Sequence, residues 1–245
     1  MMIKRATHLL RSSFAISLFA LIFALLLSGP VFAGDPIGTV THLSGPLFAK
    51  KADGTTKVLA PKSVVEEGDI LVTEKNTYAR VKFTDGGDVT LRPDSQLAVE
   101  EYAFEQEKPE KVKATFNLTK GGLRSITGKI GKMNPEHYKT ITPNGVVGIR
   151  GTIYELKLCS GNCGSLTAGL YLFVSDGAIS IKTNAGIQHI NTGQYAYVQH
   201  VNAPPVILPG NPGLNFSVPP AVAPPSSAKG GAAEGETKNV NCTVR

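Results

Sequence analysis

Thr77-Tyr-Ala-Arg-Val-Lys-Phe83 alternates apolar with polar side chains, and Asp88-Val-Thr-Leu91 resumes the alternation after Thr84-Asp-Gly-Gly87. A period of two marks a half-buried strand, which puts Ala79, Val81, Phe83, Val89 and Leu91 on the buried face and Tyr78, Arg80 and Lys82 on the other. The intervening Asp85-Gly86-Gly87 supplies the positive φ that a hairpin turn requires. The same period recurs in both directions, predicting strands over 37–43, 47–51, 69–73, 97–104, 113–118, 138–142, 152–158, 169–174, 178–183, 187–191 and 194–201. Turn pairs such as Glu67-Gly68, Asn144-Gly145 and Asp176-Gly177 separate them, and no stretch beyond Leu27 carries a helical stripe. The chain therefore reads as all-β, with one domain over 34–202. A faint repeat, Phe83-Thr-Asp-Gly-Gly-Asp-Val-Thr-Leu91 against Phe173-Val-Ser-Asp-Gly-Ala-Ile-Ser-Ile181, fits a β-solenoid, a β-roll or a sandwich equally well.

The first 33 residues read as a secretory signal peptide. Lys4, Arg5 and Arg11 precede an apolar run over 14–27 broken only by Ser17, and Val31-Phe32-Ala33 offers small residues where cleavage is expected. That run would span about 21 Å as a helix, short of a hydrocarbon core of about 30 Å, so no stable membrane span is expected after cleavage; a retained anchor is the alternative. A periplasmic or secreted location follows. The chain carries a net charge of +6, half of it in the leader, which leaves too weak an excess for nucleic acid. At the other end, eight of the 16 prolines fall within 203–225 and a Gly/Ala/Ser-rich stretch follows, so 203–245 reads as an extended, mostly disordered tail in which only Val206-Ile207-Leu208 and 214–218 offer docking points.

Chemistry is sparse. Cys159 and Cys163 in Cys-Ser-Gly-Asn-Cys suit a local disulfide in an oxidising compartment, with a reduced pair or a metal site as alternatives, and Cys242 stays unpaired. Asp85, Asp88 and Asp94 cluster at one turn and could hold calcium, but aspartate is what such turns need in any case. His42, His137, His189 and His200 lack partners at catalytic spacing, so no catalytic residue, cofactor or metal is expected. Lys120, Arg124, Lys129, Lys132 and Lys139, interleaved with glycines and accompanied only by Glu136, suggest a mobile cationic loop able to contact an anionic partner; a solvated insertion is the plain alternative.

In order along the chain stand Gly38-Thr-Val with Leu43-x-Gly45, Val65-x-x-Gly68-Asp69-x-Leu71-x-Thr73, Ala79-x-Val81-x-Phe83-x-Asp85-Gly86, Leu91-x-Pro93-x-Ser95-x-Leu97, Leu118-x-x-Gly121, Thr142-Pro143-x-Gly145, Val147-x-x-Arg150-Gly151-Thr152, Ser175-Asp176-Gly177 and Gly193-Gln194. Over 37–201 this series resembles the FecR domain. The resemblance implies a non-catalytic, β-rich domain of the bacterial cell envelope, whose best-known relatives pass a signal from an outer-membrane receptor to a cytoplasmic anti-sigma segment. Here only a dozen residues precede the apolar run, so the chain is similar to stand-alone secreted members without that segment. A protein-interaction, signalling or scaffold module with an unknown envelope protein as partner is the expectation, and a cell-wall or polysaccharide-binding protein the alternative. Gly68, Asp69, Asp85, Gly86, Thr142, Pro143, Arg150, Gly151 and Thr152 are expected to serve structure, Arg150 by pinning a loop through hydrogen bonds.

Overall fold

A computed structural model describes residues 36–222 apart from 162. The signal-peptide expectation for 1–33 and the last part of the tail, 223–245, lie outside the described residues. The strands are β1 (Pro36–Leu43), β2 (Leu47–Lys50), β3 (Thr56–Leu59), β4 (Val64–Glu66), β5 (Ile70–Thr73), β6 (Ala79–Phe83), β7 (Asp88–Leu91), β8 (Gln96–Ala103) and β9 (Lys113–Lys120). They continue with β10 (Gly122–Ile126), β11 (Tyr138–Thr142), β12 (Gly145–Ile149), β13 (Ile153–Cys159), β14 (Gly169–Asp176), β15 (Ala178–Thr183), β16 (Gly186–Asn191), β17 (Tyr195–Val198) and β18 (Val206–Leu208). One α-helical turn, α1 (Ile130–Met133), interrupts them.

The all-β expectation holds, and the architecture is two nine-stranded sheets without a closed barrel. Sheet I has the order β18-β17-β14-β13-β10-β7-β6-β1-β4, and sheet II the order β16-β15-β12-β11-β9-β8-β5-β2-β3. Beyond β5 the chain lays down one or two strands in one sheet, then crosses to the other, so both sheets grow in the same direction, as in a roll. Pairing is antiparallel except between β9 and β11, because α1 and its flanking turns return the chain in the parallel sense.

The core is the alternating inner faces of both sheets. Val81, Leu91, Leu123, Leu156 and Leu172 of sheet I and Leu71, Leu97, Leu118, Val147 and Ile181 of sheet II are at most 1% exposed. An aromatic run crosses between the sheets, Phe83 to Phe116 at 5.2 Å and Phe116 to Tyr138 at 5.7 Å between ring centroids. The buried tyrosine hydroxyls are satisfied, Tyr138 with Ser125 Oγ at 3.1 Å and Tyr154 with Thr140 Oγ1 at 2.8 Å. Burial accordingly pushes both phenols above their ordinary range.

Several expectations change. The 77–91 hairpin forms as β6 and β7, yet Arg80 is buried, donating both Nε and Nη2 to the Asp88 carboxylate at 2.7–2.9 Å. A paired guanidinium tolerates the interior as an isolated one does not. The faint repeat is one of turns only: 83–91 stays within sheet I, whereas 173–181 crosses from sheet I to sheet II. The segment read as a mobile cationic loop contains β10, at the centre of sheet I between β7 and β13, and α1 with Ile130 buried. The tail is ordered further than its composition suggests. β18 pairs with β17, Leu214 is buried, and Phe216 stacks on Phe173 with ring centroids 6.2 Å apart, so the two docking points anticipated from sequence are occupied.

Candidate functional site: a cationic groove on sheet II

Most of the family-motif residues hold the framework. Asp85 is buried and accepts hydrogen bonds from Gly87 N at 2.8 Å and Ile130 N at 3.2 Å, so it closes its turn and anchors α1. Gly86 takes the required positive φ of 83°. Gly68 donates its N–H to Val99, and Asp69, 2% exposed, accepts from Glu66 N at 2.8 Å and pairs with Lys51 at 2.8 Å. Thr142 accepts from Asn144 N and donates to Gly145 O across the two-residue turn that holds exposed Pro143. Thr152 N donates to Thr127 Oγ1 at 2.8 Å, and Gly151 beside it has a φ of 63°.

The three aspartates that the sequence groups at one turn are divided among separate tasks. Asp85 caps backbone, Asp88 pairs with Arg80, and exposed Asp94 pairs with Lys120 at 2.6 Å. Among the described residues no group of three His, Cys, Asp or Glu is placed to hold a metal. His137 Nδ1 contacts Asn134 Nδ2 and the Val112 carbonyl oxygen rather than a carboxylate. Cys159 and Cys163 are free thiols in the structure, within hydrogen-bonding reach of each other; burial, and then Cys163, push the Cys159 thiol up to about 12.

Of the five cations expected to form one contact surface, three are committed elsewhere. Lys120 pairs with Asp94, Arg124 with the buried Glu155 at 3.0 Å, and Lys129 with Gln106 Oε1 at 2.6 Å. Lys132 and Lys139 remain exposed, and they belong with residues that the sequence pattern did not group. Arg150 is exposed, and among the described residues its guanidinium makes no hydrogen bond or ion pair; only its backbone N–H is tied, to Ala178 O at 3.1 Å. The expectation that Arg150 pins a loop through its side chain is thus corrected.

These side chains border a groove of about 720 Å³ on the outer face of β11, β12, β15 and β16. The pairing register explains it. Lys139 lies beside Gly148, Gly148 beside Ser180, and Ser180 beside His189, so one row across four strands has small residues in the middle and basic ones at its ends. The next row runs Ile141, Val146, Lys182, Ile187. A Cβ built on Gly148 would meet only Ser180 Oγ, at 3.0 Å, so the floor is low because its side chains are small. Lys139, Arg150, Lys182 and His189 line the groove, Glu136 is its one carboxylate, and Lys132 approaches the Gly151 corner. Like charges gathered on a concave surface concentrate a positive potential there and attract anionic groups.

Residues 69–186 match the family model described as FecR protein, a stretch that covers β5 to β15. No curated protein sequence matches the chain. Two crystal structures of a candidate anti-sigma factor from Parabacteroides distasonis, at 1.65 and 2.50 Å resolution, are each similar at 12% identity and a TM-score of 0.44, over 58% of this chain and 60% of that one. The alignment thus spans less than two thirds of that chain's length.

Proposed function

This chain carries a FecR domain, and from that premise we propose that it is a non-catalytic interaction module of the bacterial cell envelope, acting in signalling or as a scaffold, that receives an acidic protein partner on the outer face of sheet II. The observation that carries the reading is the groove itself: Lys139 on β11, Lys182 on β15 and Arg150 just beyond the end of β12 line it, none of them neutralised by a salt bridge among the described residues, over a floor of Gly148 and Ser180. Exposed cations cost the fold nothing to change, and their common direction gives a partner's carboxylates a shared target. A periplasmic setting is part of the proposal and rests on the charged and apolar pattern of residues 1–33.

A polysaccharide ligand is the weaker reading. Sugar-binding faces use open aromatic platforms, and the aromatic cluster of sheet I, Tyr171, Phe173, Tyr195 and Tyr197, packs against Leu208, Leu214 and Phe216 of the C-terminal segment. The test is in-cell crosslinking and pull-down of tagged protein from the envelope, with the charge-reversed Lys139→Glu/Lys182→Glu variant beside it. Recovery of a specific envelope protein by the native chain and its loss from the variant support the proposal. Recovery of sacculus or polysaccharide alone moves the function to glycan binding.

A further inference from the structure

The groove runs out to β16, the terminal strand of sheet II, and β16 differs from the other three terminal strands. β18 has three residues between Pro204-Pro205 and Pro209, β4 has three residues, and β3 has four with Lys57 among them. Short length, lysine and proline are the usual guards against an incoming strand. β16, Gly186-Ile-Gln-His-Ile-Asn191, has six residues with neither proline nor lysine, and Ile187 is 59% exposed.

Its register identifies which backbone groups are open. The two-residue turn Asn184-Ala185 closes on the Thr183 and Gly186 pair, so Gly186, Gln188 and Ile190 exchange hydrogen bonds with β15, while Ile187, His189 and Asn191 direct N–H and C=O away from the sheet. Two side-chain contacts agree with this assignment: Asn191 N donates to Gln194 Oε1 at 2.8 Å, and His189 O accepts from Gln188 Nε2 at 2.9 Å. Ile187 N–H, Ile187 C=O and His189 N–H are left as the open row. Outward-facing side chains flanking that row are Ile187 and His189 on β16, with Lys182 directly opposite Ile187 on β15.

Resting on the binding reading above, we infer that the partner enters as an extended strand that adds to the free edge of β16, with its acidic side chains on the face that carries Ile187, His189 and Lys182 and its apolar ones on the opposite face, that of Ile190. Main-chain hydrogen bonds supply registry-independent affinity, and the alternating side chains supply the choice of partner. Neither a basic strand nor a flat apolar one satisfies the charge of that face.

The test uses the purified protein and a capped peptide of alternating Glu and Val, with its Lys/Val counterpart as control, followed by calorimetry and by amide exchange at Ile187 and His189. Ile187→Pro removes an N–H that β15 does not use, and proline is tolerated on such an edge, so the variant keeps its melting temperature while losing the peptide. The expected result is binding of the Glu/Val peptide only, slowed exchange at both amides, loss of about tenfold or more in Ile187→Pro, and a comparable loss in Lys182→Glu. Undiminished binding in a folded Ile187→Pro, no Glu/Val binding by the native chain, or pairing of β16 with a second copy would overturn strand addition. If Ile187→Pro still recovers the envelope partner while Lys139→Glu/Lys182→Glu does not, strand addition falls and the groove reading stands.

Discussion

Arg92 Nη2 donates to the main-chain oxygen of Asn215, 123 residues later, at 2.6 Å, and the Phe216 ring lies 5.5 Å from the same guanidinium carbon. The Tyr78 ring lies 5.8 Å from the same carbon, so the cation meets two aromatic rings. A segment whose composition suggests a passive tail is in this way fastened to the outer face of sheet I.

Truncation after Ala203 therefore removes β18 and uncovers the aromatic cluster. Burial of Leu214 and Phe216 side chains stabilises by about 1.5–3 kcal/mol for a fully buried one, and Phe216 is only partly covered, so a loss of roughly 3 kcal/mol is expected. For a domain of this size that corresponds to a fall in melting temperature of about 6–12 °C by calorimetry. An unchanged melting temperature would show that the segment contributes nothing to stability.

Asp85 and Arg150, both motif residues, should behave in opposite ways. Asp85→Ala leaves the buried N–H groups of Gly87 and Ile130 without their acceptor and should cost about 2–4 kcal/mol in urea unfolding. Arg150→Ala should change stability by no more than about 0.5 kcal/mol while weakening partner binding. A strongly destabilised Arg150→Ala would restore a structural role to that side chain.

The cysteine pair makes a chemical prediction. With its thiol pushed up to about 12, reduced Cys159 is protonated at neutral pH and should alkylate more slowly than Cys163. The local bridge stays a proposal for the exported protein. Mass spectrometry of envelope-derived, alkylated material should find Cys159 linked to Cys163, and free thiols at both would remove the bridge from the account.

Glu155 gives a pH dependence. Burial raises its carboxyl above the usual 4.5, with Arg124 and then Arg92 opposing that shift. The folded state then holds a proton more tightly than the unfolded state, so this group's contribution falls as pH rises from about 4.5 through the raised value. Urea unfolding across that window should show a shallower decline in Glu155→Gln than in the native chain. Equal slopes would place the titration elsewhere.

The sequence made much of the fold legible because each inner face keeps its alternation, as in Ala79, Val81 and Phe83. It concealed β10 and β12 because Gly122 and Gly148 interrupt the pattern there, and β3 and β4 because a short edge strand buries too little to keep a period. Arg80 counts as outward in the period-two pattern, and its ion pair with Asp88 is a diagonal contact, since the register sets Arg80 opposite Thr90 and Asp88 opposite Lys82. The groove was legible in fragments: Lys132 and Lys139 stood in the cationic run and Arg150 in a motif, but Lys182 and His189 join them only once β15 and β16 are laid beside β12. The glycine that opens its floor, Gly148, reads in sequence as one more turn residue.

The most direct measurement is site-specific photocrosslinking in intact cells, with the crosslinker at Ser180 on the groove floor and, in a second strain, at Lys82 on the opposite sheet. The account predicts a discrete adduct with one acidic envelope protein from position 180, absent from position 82 and lost when Arg150→Glu is added. Adducts from position 82 alone, or adducts from position 180 that persist in Arg150→Glu, would contradict it.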